Sequence, residues 1–115
     1  EWNQTGKISI NLKKKERAVA RPSIIFNKDK FHMWYSKENK VGTYSLGYAQ
    51  STNGIKWKRK DEQIGLYKSK VGWDSKMITY PSVILHKDKY YMFYNGNEYG
   101  KNGFGVATLE KSKLR

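Results

Sequence analysis

The apolar side chains of this chain fall into short runs that are separated by polar turns, and no segment has the 3.6-residue period of a helix. Residues 23–26 form an apolar, β-branched run, and the polar pair Lys28-Asp29 follows as a turn. A second run at residues 31–35 and a third at residues 44–51 continue the pattern. The chain is therefore predicted to consist of β-strands.

An Asn53-Gly54 pair follows the third predicted strand. This dipeptide favours a type I′ hairpin turn, because both residues accept positive φ. Residues 55–59 then alternate between apolar and cationic side chains, which predicts a fourth strand. Four antiparallel strands within about 50–60 residues are typical of one propeller blade.

The chain also repeats itself. Residues 21–36 (RPSIIFNKDKFHMWYS) align without a gap with residues 80–95 (YPSVILHKDKYYMFYN), an offset of 59 residues. Farther along, residues 46–49 (LGYA) match residues 104–107 (FGVA). A fixed period of this length predicts two copies of one structural unit.

The repeat predicts an all-β chain of about two β-propeller blades, a single partial propeller unit spanning residues 1–115. Residues 1–17 would be strand 4 of a preceding blade and a connector, since Trp2 resembles Trp57 in its spacing to the next copy. The other predicted parts are a complete blade at 18–60, a connector at 61–77 and strands 1–3 of a second blade at 78–115.

Two blades cannot close a ring and would expose an apolar face. The chain is either a segment of a longer propeller or a unit that assembles head to tail, the strand around Trp2 completing a neighbour's last blade. We expect the segment, and the start at Glu1 rather than Met favours a trimmed or partial product.

Composition narrows the classes of partner. The formal charge is +13, which would attract an anionic partner such as nucleic acid or an acidic glycan. The lysines are scattered over turns and strand ends, with one run at residues 13–15, and few of the 23 basic residues are arginine. A solvated lysine-rich surface is therefore the favoured interpretation, and nucleic-acid binding is not expected.

The sequence does not indicate a disulfide, a membrane span or a metal site. There is no cysteine, so no disulfide is available, and no apolar stretch approaches the roughly 18 residues of a membrane span. His32 and His86 are not spaced with carboxylates as metal ligands, so we expect neither a metal nor another cofactor. The compartment stays open.

The two copies resemble a known group. The stretches ARPSIIF, MWYS and LGYAQSTNGIKWKR, followed by GWDSKMITYPSVI and YYMFYNGNEYGKNGFGVA, are similar to the five-bladed propeller glycosidases of the arabinanase, invertase and levansucrase type and to their glycosyl-hydrolase-like relatives. The resemblance covers nearly the whole chain. Its most specific part is S-x-(D/N)-G-I-x-W after a GYA strand, a recurring blade signature of that group.

The resemblance implies a carboxylate two residues before the opening proline in one blade and an aspartate immediately before it in another. Here those positions are Thr79 and Arg21. Glycoside hydrolysis uses two carboxyl groups, one as acid and one as nucleophile or base. The expected catalytic carboxylates are therefore absent from this segment, and its catalytic residues are unknown.

The loops after strand 2 and the connector into strand 1 share the pocket face of a blade. Sugar rings stack on aromatic side chains, and amides, guanidinium and carboxylates bind sugar hydroxyls. Packing between blades and the capping of turns are the alternative roles for the same residues. We predict these substrate-binding residues: Arg21, Trp73, Asp74, Tyr80, Asn95, Asn97 and Glu98. The rings at Trp34, Tyr35, Phe93 and Tyr94 are predicted to belong to the core between blades.

The leading hypothesis is a carbohydrate-active, glycoside hydrolase-like propeller to which this segment contributes part of a glycan-binding pocket. A non-catalytic, lectin-like binding or assembly module is the alternative. Nonspecific nucleic-acid binding rests on charge alone. The expected partners are a carbohydrate and either further blades or other copies of the chain, and no membrane.

Overall fold

A computed structural model describes all residues from Glu1 to Arg115. It contains seven strands in two antiparallel sheets, one four-residue helix and two short 3-10 turns at Asp61–Gln63 and Lys111–Lys113. The strands and the helix are β1 (Glu16–Asn27), β2 (Lys30–Asn39), β3 (Tyr44–Ser51), β4 (Lys58–Arg59), β5 (Thr79–His86), β6 (Lys89–Asn95), α1 (Asn97–Gly100) and β7 (Phe104–Glu110). None of the helical segments has the length and apolarity that crossing a membrane requires.

The first sheet has the order β1-β2-β3-β4 and the second has the order β5-β6-β7. Every neighbouring pair is antiparallel. The prediction of an all-β fold with up-and-down, blade-like sheets is confirmed, and residues 44–51 form a strand with the predicted bounds. The two sheets carry the two copies of the repeat, so each copy folds as one sheet.

The predicted type I′ turn at Asn53-Gly54 is wrong. Gly54 has φ +76° but Asn53 does not have positive φ. The Asn53 side chain instead accepts hydrogen bonds from the backbone N–H groups of Ile55 (2.8 Å) and Lys56 (2.9 Å). This local turn occupies residues that were expected to be strand, and β4 is therefore only Lys58–Arg59.

A left-handed pair occurs two hairpins earlier, between β1 and β2. Lys28 (φ 53°) and Asp29 (φ 60°) both have positive φ, as the central residues of a type I′ turn do. They connect β1 to β2, with Asn27 paired to Lys30. The tight hairpin fixes the register of the first sheet.

The main core lies between the two sheets. Trp34 and Tyr48 of the first sheet pack against Val83 and Tyr90 of the second, and Leu114 completes the cluster. Trp34 is 5% exposed and Tyr90 2% exposed. The prediction that rings pack between blades is confirmed for Trp34 and for Tyr94, which packs against Leu46 of the first sheet. Tyr35 is buried instead in a separate cluster with Met33 and Ala49.

The outward faces are only partly covered. Phe93, predicted to be core, is exposed, because its side of the second sheet faces away from the first. Cross-strand register places Val106 opposite Phe93, and Val106 and Phe104 are exposed as well. Residues 1–15 contain no strand, and Trp2 is 98% exposed. Their assignment to a preceding blade stays a prediction.

An ionic network joins the end of the first sheet to the connector. Asp61 accepts hydrogen bonds from the Tyr35 hydroxyl (2.5 Å), the Tyr48 backbone N–H (3.0 Å) and the Arg59 guanidinium (2.6 Å). Arg59 also donates to Glu16 at 2.5 Å. Burial tends to raise the pKa of Asp61, but these donors outweigh it and lower that pKa to about 2. The connector is thus held by a charged carboxylate with little solvent access.

Candidate functional site

Arg21 and Tyr80 have an unusual backbone conformation at equivalent places in the two sheets. Their φ angles are 55° and 56°, and each residue directly precedes a proline. A residue before proline ordinarily adopts an extended conformation, and a left-handed non-glycine residue is destabilised by its Cβ. Each also lies at an irregularity of strand pairing, Arg21 within β1 and Tyr80 near the start of β5. Retained strain of this kind is a mark of functional sites.

The side chains of Arg21 and Tyr80 contact each other. The guanidinium carbon of Arg21 lies 4.9 Å from the centroid of the Tyr80 ring. Tyr44 and Tyr99 complete the group, with ring centroids 5.5 Å apart and 6.0 Å and 6.1 Å from Tyr80 respectively. We call Arg21, Tyr44, Tyr80 and Tyr99 the tyrosine–arginine cluster. It draws on β1, β3, β5 and α1, so both sheets contribute to it.

An ion pair borders the cluster. Glu38 accepts two hydrogen bonds from Arg17, at 3.2 Å from Nε and 2.7 Å from Nη2, and only 8% of Glu38 is exposed. The hydrogen bonds from Arg17 are the main cause of the lowered pKa of Glu38, and a hydrogen bond from Tyr44 acts in the same direction. Glu38 is therefore held as a carboxylate. It orients Arg17 and Tyr44 and does not store a proton at neutral pH.

Ser36 connects β2 to the strained start of β5. Its Oγ accepts hydrogen bonds from the Tyr80 backbone N–H (2.7 Å) and from the Thr79 hydroxyl (3.0 Å). Ser36 and Thr79 are both fully buried. The hydroxyl of Thr79 is thus used to fix the backbone beneath Tyr80.

Asn97 closes the loop that leads into β5. Its Oδ1 accepts from the backbone N–H groups of Lys76 (2.7 Å) and Met77 (3.1 Å), and its Nδ2 donates to the Gly72 carbonyl at 3.0 Å. The Asn97 backbone N–H donates to the Trp73 carbonyl at 2.7 Å. With its amide fully engaged and 7% exposed, Asn97 supports the loop.

Trp73 and Asp74 pack inside the same loop. The Trp73 ring stacks on Tyr94 with centroids 5.5 Å apart and planes at 22°. A Cβ at Gly96 or Gly105 would lie 2.4 Å or 2.6 Å from that indole, so both positions need glycine for this contact. The Tyr94 hydroxyl donates to the buried Asp74 at 3.3 Å. Burial, followed by the nearby Asp74 carboxylate, raises the pKa of Tyr94.

The segment after β6 presents Tyr99 to the cluster. Glu98 (φ 53°) and Tyr99 (φ 60°) are consecutive left-handed residues, so α1 is a pair of tight turns rather than a regular helical turn. Asn95 Nδ2 donates to the Tyr99 carbonyl at 2.9 Å and holds it in place. Glu98 is exposed, and its carboxylate lies 3.8 Å from Lys101.

The structure thus brings Arg21 and Tyr80 together and gives Asn95 a supporting place behind Tyr99. Trp73, Asp74 and Asn97 lie in the neighbouring loop, and Glu98 lies in solvent. Contact of these seven residues with a substrate stays a prediction. Two cluster members were not among them: Tyr44 and Tyr99. Tyr44 could have been found from its place at the start of a pocket-face strand, whereas nothing local in the sequence indicates the left-handed pair at residues 98 and 99.

A second concavity lies away from the cluster, between the sheets at the ends where β3 and β7 finish. This cleft has a volume of about 650 Å³ and is lined by Trp34, Tyr48, Tyr90 and Leu109, with Lys30 among its polar residues. It continues the packing gap of the main core. No group of three or more His, Cys, Asp or Glu side chains in the structure is arranged to hold a metal ion.

Comparison with known proteins identifies the family. The profile of glycoside hydrolase family 130, described as beta-1,4-mannooligosaccharide phosphorylase, matches residues 3–112. The chain belongs to glycoside hydrolase family 130. The tyrosine–arginine cluster is therefore a candidate site in a member of a carbohydrate-active family.

Related proteins agree with this membership. An uncharacterized protein of Mycobacterium tuberculosis is 31% identical over 110 residues, which is 95% of this chain and 36% of that protein. A glycosyl hydrolase structure from Bacteroides ovatus superposes with a TM-score of 0.68 at 22% identity, over 84% of this chain and 30% of that one. The family 130 chain therefore spans about a third of the length of the curated relatives that it matches.

A further similar structure comes from family 130 itself, described as a family of mannoside phosphorylases that contains glycoside hydrolases targeting β-1,2 mannosidic linkages in Candida mannan. The TM-score is 0.66 at 25% identity, with 84% of this chain and 30% of that chain covered. These similar structures are five-bladed-propeller-type glycoside hydrolase folds. The expected all-β, propeller-type fold and the expected membership in a carbohydrate-active family are confirmed.

Proposed function

We propose that this chain contributes a glycan-binding surface to the pocket of a carbohydrate-active propeller, and that the tyrosine–arginine cluster is where it contacts the sugar. The observation that carries the proposal is the convergence of three tyrosine rings and one guanidinium from both sheets at a pair of strained residues. Aromatic faces pack against the C–H faces of a sugar ring. Phenol and guanidinium groups supply hydrogen bonds for its hydroxyls.

Manno-oligosaccharides are the proposed ligands. Support comes from the description of the family as beta-1,4-mannooligosaccharide phosphorylase and from the similar structure whose family includes hydrolases of β-1,2 mannosidic linkages. Both linkages are therefore appropriate probes. The cluster is open to solvent at Tyr99, which is 47% exposed, so a sugar can reach it without a rearrangement of the core.

The segment is proposed to bind the sugar rather than to supply the catalytic acid. Thr79 and Arg21 stand where the family resemblance implied carboxylates, and the buried Thr79 hydroxyl is engaged with Ser36. Glu38, the carboxylate beside the cluster, is held ionised by Arg17. A proton donor for glycoside cleavage would then come from outside these 115 residues.

Additional blades are proposed to complete the pocket. The exposed apolar side chains on the outward face of the second sheet (Phe93, Phe104 and Val106) have the character of a surface that packs against another sheet. The coverage of 36% of the curated relatives is consistent with such a segment. Head-to-tail association of copies would cover the same face.

Titration calorimetry with β-1,4-mannotetraose and with a β-1,2-linked mannotetraose tests the proposal. Tyr99→Ala removes one exposed ring of the cluster and is expected to weaken binding of the preferred ligand about tenfold. Tyr91→Ala is the matched control, because Tyr91 lies in the half of β6 nearer the His86 turn and contacts His86 instead of the cluster. Equal affinities for the parent and the Tyr99 variant would contradict the assigned site.

A non-catalytic, lectin-like role is the alternative. It is favoured because Thr79 and Arg21, and not carboxylates, stand at the two positions where the family resemblance implies acids. Mannotetraose bound without turnover, in the presence and absence of inorganic phosphate, is the expected result for that role. Release of mannose or of mannose 1-phosphate would contradict it. If activity on an aryl mannoside appeared in an Arg21→Asp variant, the site would instead be that of an enzyme that has lost one carboxylate.

A further inference from the structure

Arg21 differs from the other two arginines of the first sheet in having no acidic partner. Arg17 is paired with Glu38. Arg59 is paired with Glu16 and with Asp61. The Arg21 side chain makes no ion pair and no hydrogen bond within the protein, and its one specific contact is with the Tyr80 ring. A structural arginine satisfies its N–H groups within the protein, whereas Arg21 keeps all of them available.

The contact with Tyr80 leaves the guanidinium N–H groups available. The guanidinium carbon lies over the ring at 4.9 Å, and no acceptor of the protein takes a hydrogen bond from the Arg21 side chain. Two parallel N–H groups on one edge match the two oxygens of a carboxylate or the oxygens of a phosphate. A guanidinium held over an aromatic ring is also restrained, which reduces the entropy lost when an oxyanion binds.

The backbone restrains the position further. Arg21 is left-handed at φ 55° and is followed by Pro22, whose ring fixes its own φ. Tyr80, the other partner of this contact, is fixed by the hydrogen bond from its backbone N–H to Ser36 Oγ. Both partners are therefore positioned before any ligand arrives.

Charge at the cluster favours an anion as well. Glu38, which borders the cluster, is neutralised by its bidentate pair with Arg17. The chain as a whole carries a formal charge of +13. A carboxylate or phosphate at Arg21 would meet an exposed, uncompensated cation beside aromatic rings.

We infer that Arg21 is a specificity-determining residue that binds the carboxylate of an acidic sugar, so that the cluster prefers a uronate-containing glycan to its neutral counterpart. The inference rests on the proposed function, since the tyrosine rings hold the sugar while Arg21 holds its carboxylate. Inorganic phosphate offers the same oxyanion chemistry from a free molecule. The test therefore has to separate a carboxylate carried by the sugar from phosphate in solution.

The matched ligands are a β-1,4-linked mannuronate tetrasaccharide and β-1,4-mannotetraose, which differ only in the carboxylate or hydroxymethyl group on each ring. Affinities are measured by titration calorimetry at about 0.15 M ionic strength, where nonspecific attraction is screened. The parent is expected to bind the mannuronate at least about tenfold more tightly than mannotetraose. Arg21→Gln is expected to remove that preference, because it weakens mannuronate binding far more than mannotetraose binding.

Lys87→Gln is the control for net charge. Lys87 is exposed and left-handed (φ 55°), like Arg21, but it lies in the β5–β6 turn at the opposite end of that hairpin from Tyr80. The variant is expected to keep the full preference for mannuronate. If Lys87→Gln and Arg21→Gln lose the preference equally, the effect is one of total charge and the inference is overturned.

Three other results would also overturn the inference. The parent could bind both tetrasaccharides equally, which leaves the proposed glycan site intact and removes the acidic-sugar preference. Millimolar inorganic phosphate could bind in an Arg21-dependent way and enhance binding of the neutral tetrasaccharide, which would make free phosphate the ligand of Arg21. Finally, the parent could bind neither sugar, in which case the proposed function fails together with the inference.

Discussion

Arg21 and Tyr80 stand 59 residues apart at equivalent positions of the repeat, and in the folded chain the Arg21 guanidinium lies on the Tyr80 ring at 4.9 Å. Each residue lies within a pairing irregularity of an edge strand, Arg21 in β1 and Tyr80 in β5. The contact is therefore made between the two units. A site of this kind depends on the packing of one sheet against the other, which is supplied by the core around Trp34 and Tyr90.

The left-handed turn between β1 and β2 gives a prediction about stability. Asp29 has φ 60°, and glycine occupies that region without the Cβ penalty. Asp29→Gly is expected to raise the free energy of unfolding by about 0.5 kcal/mol, measured from the urea midpoint at an unchanged slope. Asp88→Gly is the control, since Asp88 occupies the equivalent turn without positive φ. A gain at residue 88 and none at residue 29 would contradict the explanation.

The carboxylate of Asp61 is expected to carry a large part of the local stability. Asp61→Asn removes the ionised acceptor of Tyr35 and Arg59, two partners that have little access to water, and is expected to cost about 3 kcal/mol. Urea unfolding at pH 7 measures the loss. Asp88→Asn, in an exposed turn, is expected to change the midpoint little.

The stability of the protein at low pH should also depend on Asp61. The pKa of Asp61 is lowered from 3.8 to about 2, so the unfolded chain binds the proton more tightly than the folded chain. The stabilisation is complete above about pH 4 and is lost as the pH falls towards 2. The unfolding midpoint of the parent should decline over this interval more steeply than that of Asp61→Asn. Parallel declines would show that Asp61 is not the responsible group.

Glycine at position 105 is predicted to be required by Trp73. A Cβ there would lie 2.6 Å from the indole, which would have to leave its stack on Tyr94. Gly105→Ala is expected to cost about 2 kcal/mol and to change the tryptophan fluorescence. In a Trp73→Leu background the same substitution should cost little, because the obstructing ring is absent. Additive costs in the double variant would contradict this contact.

His32 predicts a second, milder pH effect. Its Nε2 donates to the Asn27 carbonyl, and its Nδ1 lies 2.7 Å from the Tyr48 hydroxyl, from which it accepts when the ring is neutral. Burial lowers the pKa of His32 below 6.5, and the unfolded chain therefore binds the extra proton more tightly. Stability should decline as the pH falls below about 6.5. His32→Gln should lose this slope between pH 7.5 and pH 5.5, whereas an unchanged slope would assign it to another group.

Local pattern was sufficient to predict the strands whose side chains alternate or form apolar runs, and β3 has the predicted bounds. It was insufficient where a side chain takes the backbone N–H groups that would otherwise bond to a neighbouring strand. Asn53 accepts two backbone N–H groups and draws residues 55 and 56 into a turn, so β4 is short. The reach of β1 from Glu16 to Asn27, across Pro22, depends on a change of pairing register that the sequence does not encode locally.

The candidate site was predictable in so far as it follows from the repeat. Arg21 and Tyr80 were found because both precede the opening proline of a copy. Tyr99 could not be found, because its direction depends on two consecutive left-handed residues and on the Asn95 side chain. Asp61 also binds Tyr35 and Tyr48, which lie 26 and 13 residues away in sequence, so these contacts become visible only in three dimensions.

The central claim is that a glycan binds at the tyrosine–arginine cluster, and a titration with β-1,4-mannotetraose and its mannuronate analogue, followed by two-dimensional NMR of the backbone amides, tests it most directly. The largest shift changes are predicted at Arg21, Tyr44, Tyr80 and Tyr99, with little change at Tyr90 and in the rest of the 650 Å³ cleft. Shift changes centred on that cleft, with the cluster unaffected by either sugar, would contradict the claim.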